Sequence, residues 1–207
     1  QDQVWAWAIS WDAVHATQVL TLMQAGYMKT GAPDALGYMM NLGFQNGVPV
    51  YMVQGMFCGS REDGLAAIAP LMAIPSAQLL VDKTGTYPDM NVWLEDHPYT
   101  LPDNLPDGIA ETKASGYINT QLSPADWQRI IDYFKTSPNP WSLAYLEPYG
   151  GAINRYPMAD SAFVHRNVDA DLVVDVFWRN PAERAQMEAW LDGFMQLVRP
   201  FLNGHVY

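Results

Sequence analysis

The sequence predicts an α+β fold, an antiparallel β-sheet with α-helices packed on one face. Three observations carry that prediction. Short runs alternate apolar and polar with period two, an Asn-Gly pair separates two of them, and stretches of helical period open on capping residues. With 207 residues, 49% of them hydrophobic, the chain can bury one core, so residues 1–207 are read as a single domain.

Residues 3–11, "QVWAWAISW", set Trp5, Trp7, Ile9 and Trp11 on one face and Ala6, Ala8 and Ser10 on the other, the pattern of a strand. Asp12 then stands as a helix N-cap, and Ala16, Val19, Leu20, Met23 and Tyr27 recur at helical spacing over 13–28. Residues 36–46 and 48–58 are two strand-like runs joined at Asn46-Gly47, a hairpin signal. Ser60 with Asp63 opens a helix over 61–73, and 77–84 reads as a further strand. From Tyr87 to Glu111, Pro88, Pro98, Pro102 and Pro106 break any period, which predicts a long wrapping loop with one short helical turn around "MNVWLED". A strand follows over 112–118. Ser123-Pro124-Ala125-Asp126 then starts a helix with Trp127, Ile130, Ile131 and Phe134 on one stripe. Strands are expected near 142–149 and 171–178. Asn180-Pro181-Ala182-Glu183 opens a last helix carrying Met187, Trp190, Leu191, Phe194 and Val198, and the recurring helix start hints at a repeated strand-helix plan.

Eleven basic against twenty-two acidic residues give a net charge of −11, which repels phosphate backbones and argues against nucleic acid or an anionic membrane as partner. No apolar run has the roughly 20 residues needed to span a bilayer, so a soluble chain is expected, cytoplasmic or secreted. Cys58 is the single cysteine; it forbids an internal disulfide and reads as a small buried hydrophobe. The four histidines, His15, His97, His165 and His205, show no metal-ligand spacing, so no metal is expected. Phosphate-binding loops, a nucleophile elbow and the zinc-protease helix motif are absent. Eight tryptophans, eleven tyrosines and eleven methionines suit a thick core or an apolar binding surface equally well.

The stretch "EPYGGAINRYPMADSAFVHR", residues 147–166, carries the functional signal. A strand arriving at Glu147 or Tyr149 meets Gly150-Gly151, a step that either brings backbone close to something or forms a bulge with Glu147 and Tyr149 merely solvated. The stretch also resembles the segment of berberine-bridge-enzyme-like flavin-linked oxidases, within the p-cresol-methylhydroxylase superfamily, in which a double glycine is followed by T-A-F-x-H-R. Ser161 stands where that pattern has Thr. "KASGYI" resembles the family's K-x-S-x-[FY]-[IV] strand, and "WLDGFMQLVRPFLNGHVY" resembles its last helix and the start of a Y-x-N-Y-x-D tail. In order and spacing the likeness runs along essentially the whole chain.

The resemblance implies the substrate-binding part of an FAD-dependent oxidase whose FAD-binding domain is not in this sequence. The family's glycine-rich pyrophosphate loop and its flavin-tethering histidine and cysteine are not found here, and a chain that opens on Gln1 and stops at Tyr207 is expected to be a piece of a longer polypeptide. Such an enzyme would oxidise an alcohol, sugar or alkaloid-type small molecule, passing hydride to the flavin and then electrons to oxygen. By position in the matched stretches, Glu147 and Tyr207 are the candidate catalytic residues, and Tyr149, Asn154, Tyr117 and Ser115 the candidate substrate-binding ones. His165 and Arg166 are read as a hydrogen-bonded strand end. Two alternatives stand beside this: a stand-alone small-molecule binding module without flavin, and a dimerisation domain with its aromatic face against a second copy.

Overall fold

The computed structural model describes residues 3–28, 31–96, 105 and 107–206. Among them run β1 (Val4–Trp11), α1 (Ala16–Gly26), β2 (Leu36–Gln45), β3 (Val48–Phe57), α2 (Arg61–Met72), β4 (Gln78–Gly85), α3 (Tyr87–Asp96), β5 (Ala110–Ile118), α4 (Pro124–Phe134), β6 (Leu143–Pro148), α5 (Ala152–Arg155), β7 (Ala170–Trp178) and α6 (Arg184–Val198). The strands make one sheet in the order β4-β1-β3-β2-β6-β7-β5, with every neighbouring pair antiparallel.

That order resolves into two copies of one plan. The first half runs β1-α1-β2-β3-α2-β4 and places its strands 4-1-3-2 across the sheet. In the second half β5, α4, β6, β7 and α6 follow the same course, and the segment after α6 lies along β5 as a fourth strand would. Asn203 N–H donates to Tyr117 O at 3.0 Å, and Tyr117 N–H to His205 O at 3.4 Å. The halves meet where β2 pairs with β6 over three residue pairs, Met40–Leu146, Asn41–Tyr145 and Leu42–Ala144. Behind that seam α1 packs on α4.

Period-two alternation decides which side of the sheet the helices cover. Trp5, Trp7, Ile9 and Trp11 of β1 join Val19, Leu20 and Met23 of α1, Trp127, Ile130 and Phe134 of α4, and Trp190 and Phe194 of α6 in one continuous core. Helix α3 lies on the opposite side. Its Met90, with Trp93 and Leu94 beside it, covers Val4, Ala6 and Ala8 of β1, Met52 of β3 and Val81 of β4.

The Asn46-Gly47 hairpin forms as expected, with φ of 52° and 76°, the doubly positive pair that suits the twist of a two-residue turn. Ser60 accepts from Asp63 N–H and Ser123 from Asp126 N–H, and Asn180 accepts from Ala182 N–H. Three expectations need correction. Asp12 makes no side-chain cap, because the chain there starts with a tight turn, Ala13–His15, and the Asp12 N–H is taken by Ser76 Oγ. The stretch from Tyr87 opens on a ten-residue helix, α3, where a loop with one short turn is expected; Pro88 is tolerated in its first turn, where an N–H has no helical partner, and residues 97–104 and 106 of the expected loop lie outside the described residues. Cys58 is exposed, since β3 ends at Phe57.

Candidate functional site

The helix-free middle of the second sheet face carries an unusual density of polar side chains. On β5, β6 and β7 the even-numbered Ala114, Ala144, Leu146, Leu172, Val174 and Val176 go to the helical core. Alternation sends Ser115, Tyr117, Tyr145, Glu147, Asp171 and Asp175 to the other side. Asn41 of β2 and Gln54 of β3 extend this stripe across the seam.

Cross-strand register sets who faces whom. Asp171 stands between Glu147 on β6 and Tyr117 on β5, and Asp175 between Leu143 and Lys113. Both aspartates are buried, 1% and 6% exposed, and each keeps one carboxyl oxygen without a hydrogen-bond partner. Burial pushes Asp171 up to about 6, the Glu147 charge adds to the rise, and a backbone hydrogen bond at Gly116 opposes it. Asp175 is also pushed up to about 6, again chiefly by burial; Lys113, with its ammonium 3.7 Å away, pulls it down, and Glu111 pushes it up. Tyr145 is raised to about 12 by burial, with the Asp175 charge next. Asn41 Nδ2 and Gln54 Oε1 likewise have no partner. Buried polar atoms without a hydrogen bond are costly, and these lie on the face that the helices of the main core leave uncovered, where a bound polar group would reach them.

One end of the stripe is closed by an aromatic cluster. Tyr117 is fully buried, with the Tyr149 ring edge-on at 5.4 Å and the His165 ring stacked at 4.3 Å, and Phe163 stacks on Tyr149 at 5.6 Å. Burial raises the Tyr149 hydroxyl above its ordinary range, with Tyr117 adding to it. His165 thus packs as a ring on the sheet and lies outside any strand, while Arg166 donates to Ile153 O and Ser161 Oγ and covers the Phe163 ring.

The double glycine is a strand-to-helix turn and not a bulge. β6 ends at Pro148, and Gly151, at φ 63°, starts the single turn of α5, with Asp34 Oδ1 only 3.3 Å from where a Cβ would sit. Beside it opens a cleft of about 360 Å³, lined among others by Tyr27, Asp34, Tyr38 and Cys58. Arg155 closes on Asp34 at 2.6 Å.

Four of the six residues expected from the sequence are therefore neighbours: Glu147 and Ser115 on the stripe, Tyr117 and Tyr149 in its aromatic end. Ser115 also borders a groove formed with Arg199, Asn203 and His205. Asn154 holds backbone, donating to Val168 O at 2.7 Å and accepting from Asn167 N–H at 2.8 Å, and so ties α5 to the entry of β7. Tyr207 lies outside the described residues. Sequence reasoning missed Asp171 and Asp175. Their signal was an acidic residue repeated on one face of an otherwise apolar strand, "ADLVVDVFW". Among the described residues no group of His, Cys, Asp and Glu is placed to hold a metal ion, and no helix is long and apolar enough to cross a membrane.

No family model matches the sequence, and no curated protein is similar to it in sequence. Solved structures are similar in fold. BBE-like #28 from Arabidopsis thaliana superimposes with a TM-score of 0.82 over 99% of this chain at 14% identity. Physcomitrella patens BBE-like 1 does so with 0.81 over 100% at 19% identity. Phl p 4, a grass pollen allergen with glucose dehydrogenase activity, follows with 0.76 over 99% at 15% identity. The chain spans less than half of each, 45%, 45% and 43% of their lengths. It has the fold of that part of the berberine bridge enzyme-like proteins.

Proposed function

We propose that this chain is the substrate-binding domain of an FAD-dependent oxidoreductase that oxidises an alcohol, sugar or alkaloid-type molecule, the flavin being held mainly by an FAD-binding domain of the same polypeptide. One observation carries the reading: the only helix-free part of the described sheet bears Glu147 among buried, partly unpaired polar groups. The fold likeness supports it.

The residues present fit one side of such a cofactor. Asn41 Nδ2 and Gln54 Oε1 would offer a donor and an acceptor to a flat polar ring system laid on the sheet, whereas a net charge of −11 leaves the pyrophosphate to the other domain. When bound, FAD supplies the hydride acceptor, with oxygen as its oxidant. The work of this chain is then to hold the substrate and take its proton. Glu147, half-buried at the centre of the stripe, is the proposed base, accepting the proton that leaves the substrate's hydroxyl or amine nitrogen as the neighbouring carbon gives up hydride. Tyr149 and Tyr117 wall the site with aromatic surface, Ser115 borders it as a hydrogen-bonding group, Asn154 keeps the 150–168 excursion in place, and Tyr207 is proposed to approach from the end of the tail.

The test uses the longer polypeptide that contains this chain. Purified, it should keep a visible flavin spectrum through gel filtration. Glu147→Gln should then keep the flavin and the substrate affinity while kcat falls about 10²–10⁴-fold, the usual worth of a general base. A longer polypeptide that holds no flavin would leave the binding-module alternative; full turnover by Glu147→Gln would remove the base.

A further inference from the structure

We propose that Asp171 is a positioning residue acting through Glu147: the two side chains, opposite each other on β7 and β6, bind and release protons as one coupled pair, so that a proton delivered to Glu147 is held by both. The inference rests on the proposed function only for the source of that proton.

The geometry is that of a cross-strand pair. Glu147 and Asp171 are register partners, which places their Cβ atoms about 5 Å apart on the same face. Asp171 is 1% exposed, and its Oδ1 has no partner, so its ionised form has lost water without full replacement. Around it, Tyr145 of β6 and Tyr149, just past the end of β6, stand on either side of Glu147, and β5 adds Tyr117 from the opposite side. The segment before β7 adds His165, stacked on Tyr117, and the tail adds His205, 5.5 Å from His165. On β7 itself Asp175 lies four residues on and has its own cation in Lys113, while Arg166 is turned to Ile153 O and Ser161 Oγ. The described cations nearest this face are therefore engaged elsewhere, and the like charge of Glu147 is the principal one acting on Asp171.

Two carboxylates in such a place do not ionise independently. On taking one proton the pair passes from two negative charges to one, and the remaining charge is shared over four oxygens. Asp171 lies high enough, at about 6, for that step to fall near neutrality. With Asp171 present, a proton arriving at Glu147 relieves a repulsion; with Asn there, it does not.

The experiment is a carboxyl-carbon NMR titration of the 207-residue chain between about pH 4 and 8, the span that brackets a shifted carboxylate. Asp171 should titrate near 6. In Glu147→Gln its midpoint should fall by about one pH unit, the size expected of a neighbouring charge at an effective dielectric between protein and water. Asp175→Asn should leave the Asp171 midpoint in place. An Asp171 midpoint unmoved by Glu147→Gln, or moved as far by Asp175→Asn, overturns the pair. Unchanged amide spectra certify that each isosteric variant is folded. No flavin is needed, so a failed coupling leaves the oxidoreductase reading standing, and a flavin-free longer polypeptide leaves the coupling standing.

Discussion

At the scale of single residues, the two aspartates of β7 make a prediction about acid stability whose sign differs from the usual one. Both are raised from 3.8 to about 6 in the folded chain. A carboxyl raised on folding binds more protons in the native state than in the unfolded one. Its favourable contribution is thus complete below about 4 and is lost as pH rises through about 6. Urea unfolding should accordingly show the chain more stable at pH 5 than at pH 7.5, by on the order of 1 kcal/mol per group once partial solvent screening is allowed for. Asp171→Asn with Asp175→Asn should flatten that dependence; an equally steep one in the double variant would assign it to other groups. Glu147 drew notice in the sequence because it stands just before a double glycine in a matched stretch. Asp171 and Asp175 were not, because a strand of Ala, Leu, Val, Phe and Trp reads as buried on both faces, and neither aspartate has a motif around it.

Elements follow from capping and turn chemistry where that chemistry is local. Ser123→Ala removes an oxygen that accepts from Asp126 N–H and should cost about 1 kcal/mol in denaturant unfolding. Gly151→Ala forces a Cβ into a backbone at φ 63° and against Asp34, at a cost of about 1–2 kcal/mol. If Gly151→Ala were neutral, the turn would have to be free to adopt another path. The hairpin and the helices after Ser60, Ser123 and Asn180 were readable for the same reason. Helix α3 hid behind four prolines, although "TYPD" repeats the punctuation of "SPAD": Thr86 Oγ1 accepts from Asp89 N–H at 3.3 Å, and Pro88 is a first-turn proline. Asp12 failed in the other direction, its backbone claimed by Ser76, a residue 64 positions away that no local pattern shows.

For the molecule as a whole, the fold class was legible, but the pairing of two similar halves was not, since it depends on which edges meet. Their junction is narrow in the sheet and is reinforced behind it where α1 packs on α4, with one buried side chain reaching furthest across. Gln24 of α1, 5% exposed, donates to Thr120 O and Asp169 Oδ2 and accepts from Leu122 N–H, all at 3.0 Å and all in the second half. Replacing Gln24 by Ala takes a partner from two buried groups, Asp169 Oδ2 and Leu122 N–H, and from the Thr120 carbonyl, and should lower stability by about 2–3 kcal/mol. Hydrogen exchange of that variant should rise first at Met40–Leu42 and Ala144–Leu146. Uniform acceleration across the sheet would mean that the halves do not separate as units.

The three-pair seam between β2 and β6 also fixes what kind of device the polar stripe is. Asn41 and Gln54 belong to one half, Tyr145, Glu147 and Asp171 to the other. Neither half carries the whole stripe, so a molecule bound across it as proposed would require both halves folded and joined, and its binding energy would go into holding them together.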